Sequence, residues 1–510
     1  MKNYVKPVYF FLTYFIFIAF PFYGNTYSQE SVKQYPNLEN VISKGNLLLG
    51  IKQHIGNDDK GSLDSQVLNF QSSNQIITLK SANGIIHKSN NFKILWSESI
   101  LKNPEISEKY VLGPFPSFES AKKQSDLIKN KGLKPIITFP NDWEIWLSAD
   151  SKLNNEDNFT FETKVIRRKI SPHLSGDKFN KKLQGPIHIS SDSPIKINDV
   201  EYGKNFYIIS DSYGTWTLVQ EISFKQYLKG VLPHEMGSNS PLEALKAQAV
   251  IARTWALYNS GRFKADNYHL CITTQCQVYK PIHNSNKKII EAIENTSNLV
   301  LTFENNLVNA FYHASNGGIS ANSNEAWDMK DYPYFLPRFD KKTLNILLGN
   351  NMRDQMKLDY FLDHPIEDFY GHRHYLFRWE KKISSHQIED ALSSHELFKN
   401  NKKISTIKAI KRSISGRVVE LEIRQGNSND RIILSKDNIR RYLRFLPSNL
   451  FIIDKLNDNF WVFRGGGFGH GVGLSQSSAI EMAESGLTFE KILAHYYQNT
   501  ELKKIYNLSR

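Results

Sequence analysis

One carboxylate lies beside a segment that could hold it rigidly. Glu235 lies in "GVLPHEMGSNSPLEALKAQAVIARTWALY", where Ser240, Pro241 and Glu243 give a predicted helix an N-cap, a first-position proline and a capping-box acid. A carboxyl group held at such a helix start can transfer protons as a general acid or base. Most loop carboxylates are only solvated, so the position alone is weak evidence for catalysis.

The elements around Glu235 follow from apolar spacing. A short helix over residues 224–230 is predicted to lead into a loop that contains Pro233, His234 and Glu235. In the next helix, apolar residues recur at spacings of three and four and predict one buried face. Lys246 and Arg253 are seven residues apart, so they share another face. We expect them to face substrate or backbone.

Two cysteines and a histidine form a second group. Cys271 and Cys276 are separated by four residues, and His269 lies two before Cys271. In an exported chain such a pair can form a disulfide. Thiolates at this spacing, with the histidine, are also compatible with a zinc site. The third alternative is two free thiols.

A glycine-rich segment, "RGGGFGHGVG", surrounds His470. Glycine at this density allows close backbone approach to a large or flat partner. The lysine and Ser/Thr of a phosphate-binding loop are missing. We therefore expect His470 to line a groove, the alternative being a hydrogen-bonded core histidine. For His313, before a Ser-Asn-Gly-Gly turn, both alternatives remain open.

The N-terminus and the charge indicate where the protein acts. Residues 1–28 read as a signal peptide, with lysines before an apolar run over residues 8–20 and a small, polar cleavage region. An uncleaved membrane anchor is the alternative. The formal charge of +13 favours polyanions, and the export signal favours an envelope polymer over nucleic acid. We therefore expect an exported protein of the periplasm or cell envelope that binds no nucleic acid.

The length of 510 residues predicts several domains. Residues 29–92 are polar and carry no motif. In residues 93–170, "YVLGPFPSFESAKKQSDLIKNKGLKPIIT" predicts a strand, a helix from 118 to about 131 capped by Ser117 and ended by Gly132, and a second strand. This motif resembles a SPOR repeat, a module that binds glycan strands stripped of their peptides. The alternative is an unrelated βαβ unit.

Residues 186–505 hold four motifs in one order. They are "YLKGVLPHEM" with "PLEALKAQAVIARTWAL", "YHLCITTQCQVYK", "LVLTFENNLVNAFYHASNGG" with a hairpin turn at Asn305-Asn306, and "GGGFGHGVGLSQSSAIEMAESGLTFEKILAHYYQNTEL" with two helices. Together they resemble the SpoIID/LytB family (sporulation stage II protein D). One departure is "LSQSSA", where the family usually has Trp-Gly after the glutamine. The expected fold class is α+β, with a region of mixed strands and helices joined to a small α/β module.

The resemblance implies a peptidoglycan lytic transglycosylase with Glu235 as its catalytic residue, cleaving between N-acetylmuramate and N-acetylglucosamine. It also implies a preference for peptide-stripped glycan and, in some members, zinc held by a histidine and two cysteines. No cofactor is otherwise expected. The alternatives are an amidase enhancer that binds a cell-wall amidase, and a non-catalytic glycan-binding scaffold. We list as candidate substrate-binding residues Lys246, Arg253, Tyr279, Ser315, Asn316, His470 and Gln476.

Overall fold

The computed structural model describes residues 35–505, except 58–60, 74, 154–157, 177–178, 283–285, 343–350, 365, 395–396, 398–402 and 427–430. The predicted signal peptide lies outside the described residues. Strands and helices are mixed along the chain and build several sheets, which confirms the α+β class. No helix in the described part of the chain has the length and apolar character needed to span a membrane.

Two large sheets form the N-terminal half. The first has the strand order β15-β1-β14-β13-β10-β3-β4. Its strands are β1 (Asn46–Ile55), β3 (Ile77–Ser81), β4 (Ile86–Ser89), β10 (Ile187–Ser190), β13 (Asn205–Ser210), β14 (Trp216–Ser223) and β15 (Leu270–Cys271). The second has the order β12-β11-β2-β5-β7-β6, with β8 paired to β5 and β9. Its strands are β2 (Leu68–Gln71), β5 (Asn91–Phe115), β6 (Ile136–Thr138), β7 (Trp143–Ser148), β8 (Thr160–Gly176), β9 (Phe179–Lys182), β11 (Lys196–Ile197) and β12 (Val200–Glu201).

Smaller sheets and most helices form the C-terminal half. The strands are β16 (Leu299–Phe303), β17 (Asn306–Leu307), β18 (Tyr312–His313), β19 (Trp379–Ser384), β20 (Ile404–Arg412), β21 (Val418–Gln425), β22 (Arg431–Ser435), β23 (Phe451–Asn457), β24 (Phe460–Gly465), β25 (Leu474–Ser475) and β26 (Glu501–Lys504). The helices of the whole chain are α1 (Leu38–Ser43), α2 (Phe118–Asn130), α3 (Phe224–Met236), α4 (Leu242–Tyr258), α5 (Lys287–Asn295), α6 (Ser323–Ala326), α7 (Gln355–Asp363), α8 (Ser385–Ser393), α9 (Asp437–Tyr442), α10 (Gln476–Glu484) and α11 (Phe489–Tyr496).

The polar N-terminal segment is part of the main sheet and not a separate region. Strand β1 pairs antiparallel with β14 and parallel with β15, so residues 46–55 lie between strands from the C-terminal region. Strand β5 runs across the expected boundary at residue 92. The division into 29–92, 93–170 and 186–505 is therefore wrong at this boundary, because long-range strand pairing leaves no break there.

The predicted strand-helix-strand unit is present. Helix α2 begins after Ser117, whose side chain accepts the Ser120 N–H, and Gly132 follows it with a φ of +83°. The unit shares one apolar core with β1, β14 and Phe263. Glu119 forms a buried ion pair with Arg262 at 2.5 Å. The unit thus packs tightly on the rest of the protein, and its likeness to a SPOR repeat stays a prediction.

Helix α3 is longer than predicted. It continues through Pro233 to Met236 and ends at Gly237, which has a φ of +80°, so Glu235 lies in the last helical turn and not in a loop. Proline usually ends a helix because it lacks an N–H and crowds the preceding turn. Here the Gly230 carbonyl accepts hydrogen bonds from the His234 side chain at 2.8 Å and from the Lys280 N–H at 3.3 Å. Both hydrogen bonds lie in the turn that contains the proline.

Two local predictions need correction. Helix α4 begins after Pro241 without a side-chain cap, since the Ser240 hydroxyl donates to the Met236 carbonyl instead of capping α4. The hairpin between β16 and β17 turns at Glu304-Asn305, one residue earlier than predicted. Both turn residues have positive φ, 49° and 64°, as a tight two-residue hairpin turn requires. The two helices predicted after the glycine-rich segment are present as α10 and α11.

Candidate functional site around Glu235

Two distant parts of the chain hold the Glu235 carboxylate. Its Oε1 accepts the Val278 N–H at 2.9 Å, and its Oε2 accepts from the Gln476 side-chain amide at 3.4 Å. The residue is half-buried at the end of α3. One oxygen is therefore fixed by a backbone N–H, while the other accepts a longer hydrogen bond from a side chain.

Close packing brings the Val278 segment onto α3. A Cβ at Gly230 would lie 2.4 Å from a Tyr279 ring carbon and 2.6 Å from the Lys280 carbonyl oxygen. Only glycine fits there, since real Cβ contacts are not that short. The Tyr279 ring also stacks on Tyr227 at 5.9 Å. This packing sets the position of the N–H that orients Glu235.

A short parallel strand pair supplies the other side of the site. In it Tyr312 of β18 pairs with Leu474 of β25, and Gln476 follows as the first residue of α10. The Tyr312 hydroxyl lies beside Glu235 and donates to Gln277 Oε1 at 3.0 Å. The Gln277 amide in turn donates to the Ala252 carbonyl of α4 at 3.0 Å. The hydrogen bonds from Tyr312 to Gln277 and from Gln277 to Ala252 thus link the Glu235 site to the buried helix α4.

Burial shifts the pKa of Glu235. Removal from water raises the pKa of its carboxyl above the ordinary value, because burial disfavours the charged form. The opposing effects come from groups that stabilise the carboxylate: Val278, Tyr312, Gln476 and His234. The net shift of the Glu235 pKa is upward, the direction that a general acid requires.

The two cysteines form a disulfide next to the site. Cys271 and Cys276 are bonded to each other, and the Cys271 N–H also contacts the Cys276 sulfur at 3.0 Å. Gln277 and Val278 follow directly. The disulfide therefore closes the loop whose end contacts Glu235 and Tyr312.

His269 does not complete a metal site. It is buried, its Nδ1 accepts the Leu48 N–H at 2.8 Å, and its Nε2 donates to the Leu38 carbonyl at 3.1 Å. Burial lowers the pKa of His269 to about 4, so the ring is neutral. Within the described ranges no three His, Cys, Asp or Glu side chains are grouped to hold a metal. His269, Cys271 and Cys276 as placed do not fit the zinc hypothesis.

The histidine of the glycine-rich segment is held by protein groups. His470 Nδ1 accepts the Val472 N–H at 3.1 Å, and its ring contacts His313 at 5.2 Å and Trp327 at 4.6 Å. Burial, then nearby arginines, lower the pKa of His470 to about 3. His313 is buried, and its Nδ1 donates to the Val472 carbonyl at 3.1 Å. These contacts favour a structural role for both rings over the groove expected for His470.

Three further candidates lie inside the protein. Tyr279 is 3% exposed, Ser315 1% and Asn316 0%. The Asn316 side chain donates to Asp340 at 2.8 Å, and Ser315 exchanges two backbone hydrogen bonds with Phe468. Their burial does not support substrate binding, and for Asn316 the side chain already has a protein partner; the assignment of the three residues stays a prediction.

The two cations of α4 also have protein partners. Lys246 Nζ pairs with Glu243 at 2.6 Å, and Glu243 accepts the Phe489 N–H at 2.8 Å. Arg253 is 3% exposed and donates to the Leu299 carbonyl at 2.8 Å. Arg253 thus faces backbone, one of the two orientations expected, and neither residue fits a substrate-binding role. Of the seven candidates, only Gln476 contacts Glu235.

Sequence reasoning missed Tyr312 and the partner role of Gln277. Both lie in quoted motifs, and Gln277 follows Cys276 directly. A tyrosine in a short strand is usually predicted to be a core residue. The pairing of its strand with β25 cannot be predicted from sequence spacing. The signal that could have found them is that Tyr312 and Gln277 lie in motifs resembling the same family that supplied Glu235.

The fold and the site define a class of protein in which one half-buried glutamate, at the end of a helix, contacts segments from two other motifs. The family description "Stage II sporulation protein" matches residues 212–303, which include Glu235 and Val278, and a domain of unknown function (DUF8618) matches residues 321–473. The segment that carries Glu235 is therefore a match to the SpoIID family model.

Relatives agree with this assignment. The stage II sporulation protein D of Bacillus subtilis is 26% identical over 302 residues, 56% of this chain and 76% of that protein. The amidase enhancer of Bacillus subtilis is 28% identical over 295 residues, 54% of this chain and 40% of that protein. An uncharacterized protein of Brachyspira hyodysenteriae is 28% identical over 314 residues, 60% of this chain and 73% of that protein. The protein thus has a cell-wall-related function.

Proposed function

We propose that the protein is a peptidoglycan lytic transglycosylase that uses Glu235 as both acid and base. The observation that carries this proposal is the half-buried Glu235 carboxyl, whose pKa burial raises and whose two oxygens are held unequally. The family motifs offer one convincing candidate carboxylate, Glu235. Hydrolysis of glycosides normally uses two carboxylates, whereas a lytic transglycosylase needs one.

The chemistry follows from the two oxygens. The Val278 N–H fixes Oε1, so the proton would sit on Oε2 and pass to the glycosidic oxygen as the bond to muramate C1 breaks. The carboxylate then takes the proton of the muramate C6 hydroxyl while that oxygen bonds to C1. The products are a free N-acetylglucosamine hydroxyl and a 1,6-anhydro-muramate end. Glu235 returns protonated, and no water is consumed.

We place this activity in the envelope of the cell, on glycan strands already stripped of peptide. The N-terminal signal and the charge of +13 support an exported, polyanion-binding protein. A cell-wall amidase would supply such strands, and a similar protein is named an amidase enhancer. That name supports the second candidate function, in which the protein stimulates an amidase without cleaving glycan itself.

Product analysis separates the candidates. Purified sacculi are incubated with the protein, with an amidase, and with both, and the soluble muropeptides are identified by mass spectrometry. The enzyme gives 1,6-anhydro-muramate ends that rise after amidase treatment. The enhancer gives more free stem peptide and no anhydro ends. A scaffold pellets with sacculi and changes neither product, which would contradict the proposed activity.

A further inference from the structure

A second possible ligand site lies apart from Glu235, in the part of the chain matched by the domain of unknown function. It is a cavity of about 460 Å³. Three segments line it: the Tyr375 turn with Lys381 of β19, the end of α9 with the residues that follow it, and Phe468 of the glycine-rich segment. None of the residues that hold Glu235 lines this cavity.

The lining combines cations with aromatic rings. Lys381, Arg440 and Arg444 supply the charge, while Tyr375, Phe445 and Phe468 supply the rings. Tyr375 is 77% exposed and Phe468 is 39% exposed, although large aromatic side chains are usually more buried. Aromatic faces offer apolar surface with a polar edge, which suits the C–H face of a sugar ring.

Arg440 is the most unusual residue of the set. Its Nε is buried and has no hydrogen-bond partner among the described residues. The neighbouring acid Asp437 attracts Arg440 electrostatically, and its carboxylate also accepts hydrogen bonds from the Ser117 and Ser120 hydroxyls, at 2.6 Å and 3.1 Å. A buried guanidinium with an unpaired Nε is costly, and an anion at the cavity would stabilise its charge. A carboxylate matches the guanidinium fork best.

The glycine-rich segment connects this cavity to the Glu235 site. Phe468 is fixed by a two-way backbone pairing with Ser315, and Gly469 donates to the Pro447 carbonyl at 3.1 Å. His470, two residues on, lies against the backbone of Tyr312, whose hydroxyl lies beside Glu235. A polymer held at the cavity would therefore be held at a fixed offset from the carboxyl group.

We propose that this cavity binds the lactyl carboxylate of a muramoyl residue in peptide-stripped glycan, with Arg440 and Arg444 on the carboxylate and Tyr375 and Phe468 against the sugar. The inference rests on the proposed function for its choice of substrate. Stem peptides are attached to muramate through an amide at this carboxyl, so removing the peptide exposes one negative charge on each muramate. The cavity would thus distinguish stripped strands from intact ones.

Binding is tested in the full chain carrying Glu235→Gln, so that no ligand is cleaved. The probes are peptide-stripped glycan fragments, the same fragments with carboxyls converted to methylamides, and chitin oligosaccharides. Arg444→Gln and Tyr375→Ala change exposed side chains and should keep the fold, as circular dichroism would check. Arg353→Gln, an exposed arginine outside the cavity lining, is the matched control for charge.

We expect Arg444→Gln to weaken binding of stripped glycan roughly tenfold or more, the usual effect of losing a charge-assisted hydrogen bond. The methylamide glycan should bind the parent as weakly as stripped glycan binds the variant, and the control should bind normally. Equal affinity for stripped and methylamide glycan, or unchanged binding in both variants, would overturn the inference. Polyphosphate that displaces stripped glycan as well as free stripped glycan does would also overturn the inference, because it would indicate a general anion site.

The outcome is separable from that of the proposed function. If the unmodified protein forms no anhydro ends but the binding differences hold, the cavity assignment stands and the activity fails. If anhydro ends form while Arg444→Gln and Tyr375→Ala bind stripped glycan normally, the activity stands and the cavity assignment fails.

Discussion

Gln476 donates its side-chain amide to Glu235 Oε2 at 3.4 Å across 241 residues of sequence. The contact exists because β25 pairs with β18 and places the start of α10 against the end of α3. The first and last motifs of the SpoIID-like region therefore meet at one carboxyl group. If Glu235 is the acid, Gln476 should tune its proton affinity.

Replacing Gln476 tests this tuning. Gln476→Glu would put a second carboxyl at hydrogen-bond distance, and a like charge raises the pKa of its neighbour. We expect the loss of kcat/KM at high pH to shift to higher pH in this variant. Gln476→Ala removes a hydrogen bond that stabilises the Glu235 carboxylate, so it should shift the same limb of the profile to higher pH, but by less. Gln124→Ala, on α2, is the control, and identical pH profiles for all three would exclude a role for Gln476.

The pH dependence of stability gives a second test. Because burial raises the pKa of Glu235, the folded state holds its proton to higher pH than the unfolded state does. Its contribution to the free energy of unfolding is therefore complete below the unfolded pKa and is lost as the pH rises through the folded pKa. Urea unfolding from pH 4 to 8 should show Glu235→Gln gaining stability relative to the unmodified protein as pH rises. A difference that is flat or falls with pH would mean that the carboxyl is not destabilised by burial.

The cysteine pair is tested by thiol titration. The denatured, metal-free protein without reductant should contain no free thiol, whereas a zinc site would release two. We expect Cys271→Ser to lower activity by loosening the loop before Gln277 and Val278, with a stability loss of ~2 kcal/mol for so short a loop. Chelator should leave activity unchanged. Two thiols in the absence of metal would contradict both the disulfide and the zinc alternative.

Lys246 distinguishes a structural from a substrate-binding role. Its ion pair with Glu243 supports the contact between α4 and the start of α11. We expect Lys246→Met, which keeps the side-chain length, to lower the free energy of unfolding by roughly 1 kcal/mol or less. Glycan binding in the Glu235→Gln background should stay the same. Normal stability with weakened binding would restore the substrate role first expected for Lys246.

Local signals in the sequence predicted local structure well. The cap at Ser117, the glycine after α2 and the apolar spacing of α4 lie within one element, so the chain itself carries the information. Glu235 was found through family motifs. The pairing of β1 with β14 was not predictable, because strand partners across 170 residues leave no mark on spacing. The continuation of α3 through Pro233 was not predictable either, because proline usually ends a helix.

The same limit explains why several residues predicted to bind substrate lie in the interior of the protein. Asn316 and Arg253 look like ligand-binding groups because they are polar and lie in family motifs. Their partners, Asp340 and the Leu299 carbonyl, come from other elements and satisfy them in the interior. Burial of a polar residue depends on which element covers it, and that is decided by tertiary packing.

The central claim is that Glu235 transfers the proton in glycan cleavage, and Glu235→Gln tests it most directly. Glutamine keeps the shape of the side chain and can still accept the Val278 N–H, but it cannot act as a general acid. With amidase-treated sacculi and mass-spectrometric detection of 1,6-anhydro-muramate ends, we expect the variant to keep its fold and its glycan binding. Its rate of anhydro-end formation should fall by roughly 10²–10⁴-fold or more. Anhydro ends formed by the variant at the rate of the unmodified protein would contradict the assignment of Glu235.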